Sequence, residues 1–115
     1  MGALVVLVRE DSTDYLEFQL LSNANAINLS TVLRVQLVMR NKDGEVVTYS
    51  TDDSSPQLYI IDATNGKVQF RPKAGNLVQW KSPYRCYFWV VSSATVQGAV
   101  PEEEEFVIKV TKKFA

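Results

Sequence analysis

Leu33-Arg34-Val35-Gln36-Leu37-Val38-Met39-Arg40-Asn41-Lys42-Asp43-Gly44-Glu45-Val46-Val47-Thr48-Tyr49 decides how the chain folds. Leu33, Val35, Leu37 and Met39 recur at every second position, with Arg34, Gln36 and Arg40 opposite them. A period of two sends alternate side chains to opposite faces of a pleated strand, so this one has an apolar face and a polar one. Asp43-Gly44 then supplies the positive φ angles of a tight hairpin, and Glu45 to Tyr49 returns as the partner strand.

The same period runs through most of the chain. Tyr15 to Leu20 places Leu16, Phe18 and Leu20 on one face. Thr51 to Pro56 is a polar loop, Gln57 to Ile61 a short apolar strand, and Asp62 to Gly66 a turn. Lys67 to Arg71 alternates again until Pro72 stops it, and Lys73 to Ser82 holds the one expected helical turn, a crossover from sheet to sheet. Tyr84 to Val91 points Tyr84, Cys86, Phe88 and Val90 inward and Arg85, Tyr87 and Trp89 outward. In the last strand Phe106, Ile108 and Val110 face in, while Val107, Lys109 and Thr111 face out. Seven to eight short strands with frequent turns predict an all-β sandwich or small barrel, formed by residues 1–115 as one domain.

Met1-Gly2-Ala3-Leu4-Val5-Val6-Leu7-Val8 is expected to be the first strand. No positive charge precedes it and Arg9-Glu10-Asp11 follows, which is not the pattern of a secretory signal. The run is shorter than the roughly 20 apolar residues of a membrane span. Position 6 is Val where a myristoylation motif wants Ser or Thr. Membrane insertion is not expected.

Charge and composition narrow the chemistry. The 115 residues include 12 basic and 13 acidic side chains, a formal charge of −1, so the basic excess of a nucleic-acid binder is missing. The chain has no histidine, the side chain best suited to proton transfer near neutral pH and the commonest metal ligand. Its one cysteine, Cys86, is expected to be a core residue with an inert thiol. The five glycines are scattered, so no phosphate-binding loop is present. Glu102-Glu103-Glu104-Glu105 invites a calcium reading, but successive carboxylates on an extended strand point to alternate faces. A solvated run guarding a sheet edge suits it better. Asp52-Asp53 is read likewise, and Asn28-Leu29-Ser30 matters as a glycosylation sequon only in a secreted eukaryotic protein. Neither an enzyme nor a cofactor is expected.

The outward row Arg85, Tyr87 and Trp89, with Lys109 on the last strand, is the candidate partner contact. Tyr, Trp and Arg are the residue types most enriched at interface hot spots. Against this stands self-packing, with loop 92–101 or the N-terminal strand lying over the row. A carbohydrate-binding or adhesion module would also use exposed aromatics.

Residues 15–112 resemble the N-terminal domain of tailed-phage baseplate upper proteins and related immunoglobulin-like modules of phage virions. The likeness runs through Ile27-Asn28-Leu29-Ser30, the Val35 to Val47 hairpin and Ile61-Asp62-Ala63-Thr64-Asn65-Gly66-Lys67-Val68-Gln69-Phe70. It continues in Tyr84-Arg85-Cys86-Tyr87-Phe88-Trp89-Val90 and in Pro101 followed by Phe106-Val107-Ile108-Lys109-Val110. The resemblance implies an immunoglobulin-like antiparallel β-sandwich located in a virion and made in the host bacterial cytoplasm. Its expected partners are other phage structural proteins or further copies on a symmetric assembly. A module of this length suits a decoration, neck, tail or adaptor protein.

Overall fold

The computed structural model describes residues 5–9, 13–22, 25–73, 75–78, 81–92, 97–100 and 106–111. The strands are β1 (Val5–Arg9), β2 (Leu16–Gln19), β3 (Leu21–Ser22), β4 (Asn25–Ala26), β5 (Arg34–Arg40), β6 (Val46–Ser50), β7 (Leu58–Asp62), β8 (Lys67–Phe70), β9 (Tyr84–Val91), β10 (Gln97–Val100) and β11 (Phe106–Thr111). The larger sheet has the order β1-β11-β9-β5-β6, with β10 also paired to β9. β2-β8-β7 forms the second sheet, and β3 and β4 make a two-residue ladder apart from both. β10 and β11 share one edge of β9, because β5 occupies the other edge from Arg85 to Val91. Counted together they give a sandwich of five strands on three.

This is the immunoglobulin-like arrangement. β2, β8 and β7 take the places of strands B, E and D, while β5, β9 and β11 take those of C, F and G. β6 adds the extra edge strand of the variable type. One pairing departs from the antiparallel expectation: β1 runs parallel to β11, from Val5 beside Val107 to Arg9 beside Thr111. Parallel neighbours need a long connection, and here the whole sandwich lies between them.

Period two becomes alternate burial. Val35, Leu37 and Met39 of β5 and Cys86, Phe88 and Val90 of β9 are buried between the sheets. They meet Leu58, Val68 and Phe70 of the smaller sheet in one continuous core. Leu33 breaks the expected pattern at 59% exposure. It precedes β5, and its N–H donates to the Val91 carbonyl at 2.8 Å. A periodic sequence can thus run one step beyond the strand it marks.

Two turns also differ from expectation. In the β5–β6 hairpin Gly44 has a positive φ, 87°. Its N–H donates to the Asn41 carbonyl, and the Asn41 N–H donates to Glu45 O, both at 3.0 Å. The Asn41 side-chain carbonyl accepts from Asp43 N and Glu45 N, so an asparagine organises a longer loop. That loop holds the Glu45 carboxyl below its usual range, first by the Asn41 amide and then by the charge of Lys81. The expected helical turn at 73–82 is, over its described residues, two i to i+3 turns, closed by Asn76 N to Lys73 O and Lys81 N to Val78 O. Trp80 of that stretch lies outside the described residues.

Tyr84 anchors this crossover to the sheet it enters: its hydroxyl accepts from the Val78 N–H at 3.1 Å. A tyrosine at the start of strand F, two residues before a cysteine and bonded back to the preceding backbone, is the tyrosine corner of such sandwiches. Cys86 is fully buried, as expected, with its thiol 3.6 Å from the Tyr84 carbonyl.

Tyr49 gives the core a pH limit. Burial, with a smaller contribution from Tyr84, pushes its phenol up from 10.0 to about 12. The folded state thus favours the neutral phenol. That stabilisation is complete below the ordinary pKa of 10.0 and disappears as the pH rises through about 12. Stability measured by urea unfolding should fall across this window, and Tyr49→Phe should flatten the fall; an unchanged pH profile in the variant would contradict the assignment.

Candidate docking face

β9 builds the centre of the outer face of the larger sheet. Arg85 is exposed, and Tyr87 and Trp89 are half-buried beside one another, their ring centroids 6.5 Å apart at 78°. The register gives each a neighbour on β5: Gln36 beside Trp89, Val38 beside Tyr87 and Arg40 beside Arg85. On the opposite edge Val107 stands beside Arg85 and Val5 beside Val107. Lys109 is exposed next to Leu7 of β1, one outward position further along β11. The four expected contact residues therefore share a face.

Two details of the pairing shape this face. First, β11 accompanies β9 only from Tyr84 to Cys86. β10 takes over above it, with Val100 beside Phe88 and Ala99 beside Trp89. Between the two registers the chain has residues 101–105 where β9 has Tyr87 alone. That interval contains the glutamate run, which lies outside the described residues, as do residues 93–96. Secondly, the N-terminal strand does not lie over the aromatic row, because β1 sits within the sheet, beyond β11.

The register also gathers charge that the linear sequence disperses. Arg9, Arg34, Arg40, Arg85 and Lys109 all occupy outward strand positions of this sheet, and those positions include no acidic residue. Arg34 has Asp52 at 3.8 Å. Arg40 and Arg85 stand directly opposite each other, and neither has an ion-pair partner among the described residues. Like charges in a cross-strand pair destabilise a sheet. Apolar side chains complete the face, including Val5 at 53%, Leu7 at 67% and Val46 at 53% exposure.

Other singled-out groups serve local structure. Asp53 accepts from Ser50 N at 3.0 Å and Asp52 from the Ser50 hydroxyl, so this acidic pair caps the turn after β6. Asn28 accepts from the Ser30 N–H and hydroxyl at 2.9 and 2.6 Å. Among the described residues no three His, Cys, Asp or Glu side chains gather as a metal site, and no helix is long and apolar enough to cross a membrane. No protein-family model matches the chain, and no curated protein matches it, so its function is read from this face.

Proposed function

We propose that this chain is a non-enzymatic structural or accessory module of a tailed-phage virion, docking on a neighbouring virion protein through the outer face of the larger sheet. The resemblance of residues 15–112 to phage modules supports the setting. The Arg40–Arg85 pair supports the mode. Two arginines face each other across strands, at a cost to the isolated fold, beside Tyr87 and a rim of exposed valine and leucine. A partner that brings carboxylates to the arginines and an apolar centre to Tyr87 and Trp89 relieves that repulsion and buries the aromatics. A second copy docked through the same face would oppose cation to cation, so self-association, where it occurs, uses another surface.

Replacing Tyr87 and Trp89 together by alanine should reduce incorporation into purified particles by at least about tenfold, the effect of losing one or two hot-spot side chains. Circular dichroism should still show a β-sheet fold, because both rings lie outside the core. Normal incorporation of the folded variant would remove this face from the account.

A further inference from the structure

A second face carries a built site of different chemistry. At one end of the smaller sheet's outer surface, an open groove of about 490 Å³ lies among Thr13, Tyr15, Gln57, Tyr59, Arg71 and Lys73. Ligand sites usually enclose about 300–1,000 Å³. Arg71 is its centre. The guanidinium carbon stands 3.9 Å from the centroid of Tyr59 and 4.8 Å from that of Tyr15. Its Nε donates to the Gln69 side-chain carbonyl at 2.7 Å, and the Gln69 amide donates to Glu17 at 3.1 Å. Gln69 is only 9% exposed, so the support beneath the arginine is itself fixed.

Among the described residues the cation is thus positioned but not neutralised. Glu17 engages Gln69 and makes no ion pair with Arg71, and no acidic side chain among the described residues lines the groove. Neither Arg71 nor the exposed Lys73 has an ion pair among the described residues. Gln57 is held by donating its amide to the Arg71 carbonyl and to the Asn76 side chain, which leaves its own side-chain oxygen as an acceptor. Pro56 and Pro72 add apolar wall. A stacked guanidinium presents its remaining N–H edge in the plane that suits a carboxylate. The tyrosine and proline surfaces suit the C–H face of a ring, and Gln57 and Thr13 suit hydroxyl groups.

We propose that this groove binds a sugar carboxylate, the uronic acid of an acidic saccharide, with the carboxylate on Arg71 and Lys73. The site lies on the opposite sheet from the docking face, so both can be occupied together, and neither proposal depends on the other.

Titrating the full chain with a galacturonic acid trisaccharide should shift the NMR signals of Tyr15, Tyr59 and Arg71. Affinity should be at least about tenfold higher than for the neutral galactose trisaccharide and should fall with added salt. Arg71→Gln should abolish binding, and Lys73→Gln should weaken it about threefold. Because Lys73 is exposed and its side chain has no ion pair among the described residues, the second variant remains informative should the first fail to fold. Equal affinity for the neutral sugar, no shift at about 10 mM uronate, or tighter binding of inorganic phosphate or a tetraglutamate peptide would each overturn the proposal.

Discussion

Phe88→Ala is expected to lower the stability of the domain by about 3–5 kcal/mol, the range for emptying an aromatic site in a packed core. Phe88 is 2% exposed at the centre of β9. Its ring stacks on Phe106 of the neighbouring strand at 5.4 Å and meets Phe18 of the opposite sheet edge-on at 5.2 Å. Phe18 also touches Phe106 at 5.1 Å, so three rings from three strands close on one another. Two belong to the larger sheet and one to the smaller, and removing Phe88 opens the seam between the layers. Small domains are stable by roughly 5–15 kcal/mol in total, so the variant should unfold at much lower urea concentration. A loss under about 1 kcal/mol would mean that the two sheets do not meet at this cluster.

Gly66→Ala should be about as damaging, for a different reason. Gly66 has φ 67°, and a Cβ added there would lie 2.6 Å from the Ile27 carbonyl oxygen and 2.8 Å from that of Leu20. Both obstacles are backbone, and both belong to a hydrogen-bonded knot. Leu20 N donates to Gly66 O at 2.8 Å and Ile27 N to Leu20 O at 2.9 Å, while Leu29 N reaches Ala63 O at 2.7 Å. The methyl group must displace that knot in addition to bearing the left-handed conformation, so a total above about 3 kcal/mol is expected. Gly44 supplies the control. Its φ is 87°, but nothing lies within 4 Å of an added Cβ. Gly44→Ala should cost only the conformational part, about 1–2 kcal/mol. Equal urea midpoints for the two variants would show that the approach of Leu20 and Ile27 is immaterial.

The sequence made the strands legible where one face is buried. Tyr84 to Val90 could be divided correctly into an inner and an outer row because burial between two sheets imposes alternation there; Val91, buried beside Val90, ends it. The same logic identified the inner positions of the last strand, Phe106, Ile108 and Val110. It failed at Leu33, where apolar periodicity outran the backbone ladder. It also missed β10, since the register offset between β10 and β11 leaves no periodic mark in the chain.

Features made by register alone were out of reach. Arg40 and Arg85 are ordinary charged residues until the β5–β9 ladder places them side by side, which is why the chain shows no basic stripe when read linearly. The Tyr15–Arg71–Tyr59 stack likewise joins residues near the ends of three strands. A faint signal existed for the tyrosine corner: Tyr84-Arg85-Cys86 opening an aromatic strand just after Pro83. For Gly66 the turn was readable, but the backbone crossing it at close range was not.

Arg85→Glu tests the docking account most directly, because fold and function should move in opposite directions. The substitution turns the Arg40 cross-strand repulsion into an attraction, so the urea midpoint should rise slightly, by the equivalent of about 0.2–1 kcal/mol. The same change sets a carboxylate against an acidic partner, and the amount of the chain recovered in purified particles should drop at least about tenfold. Recovery at the normal level from a folded, more stable variant would contradict the assignment of this face.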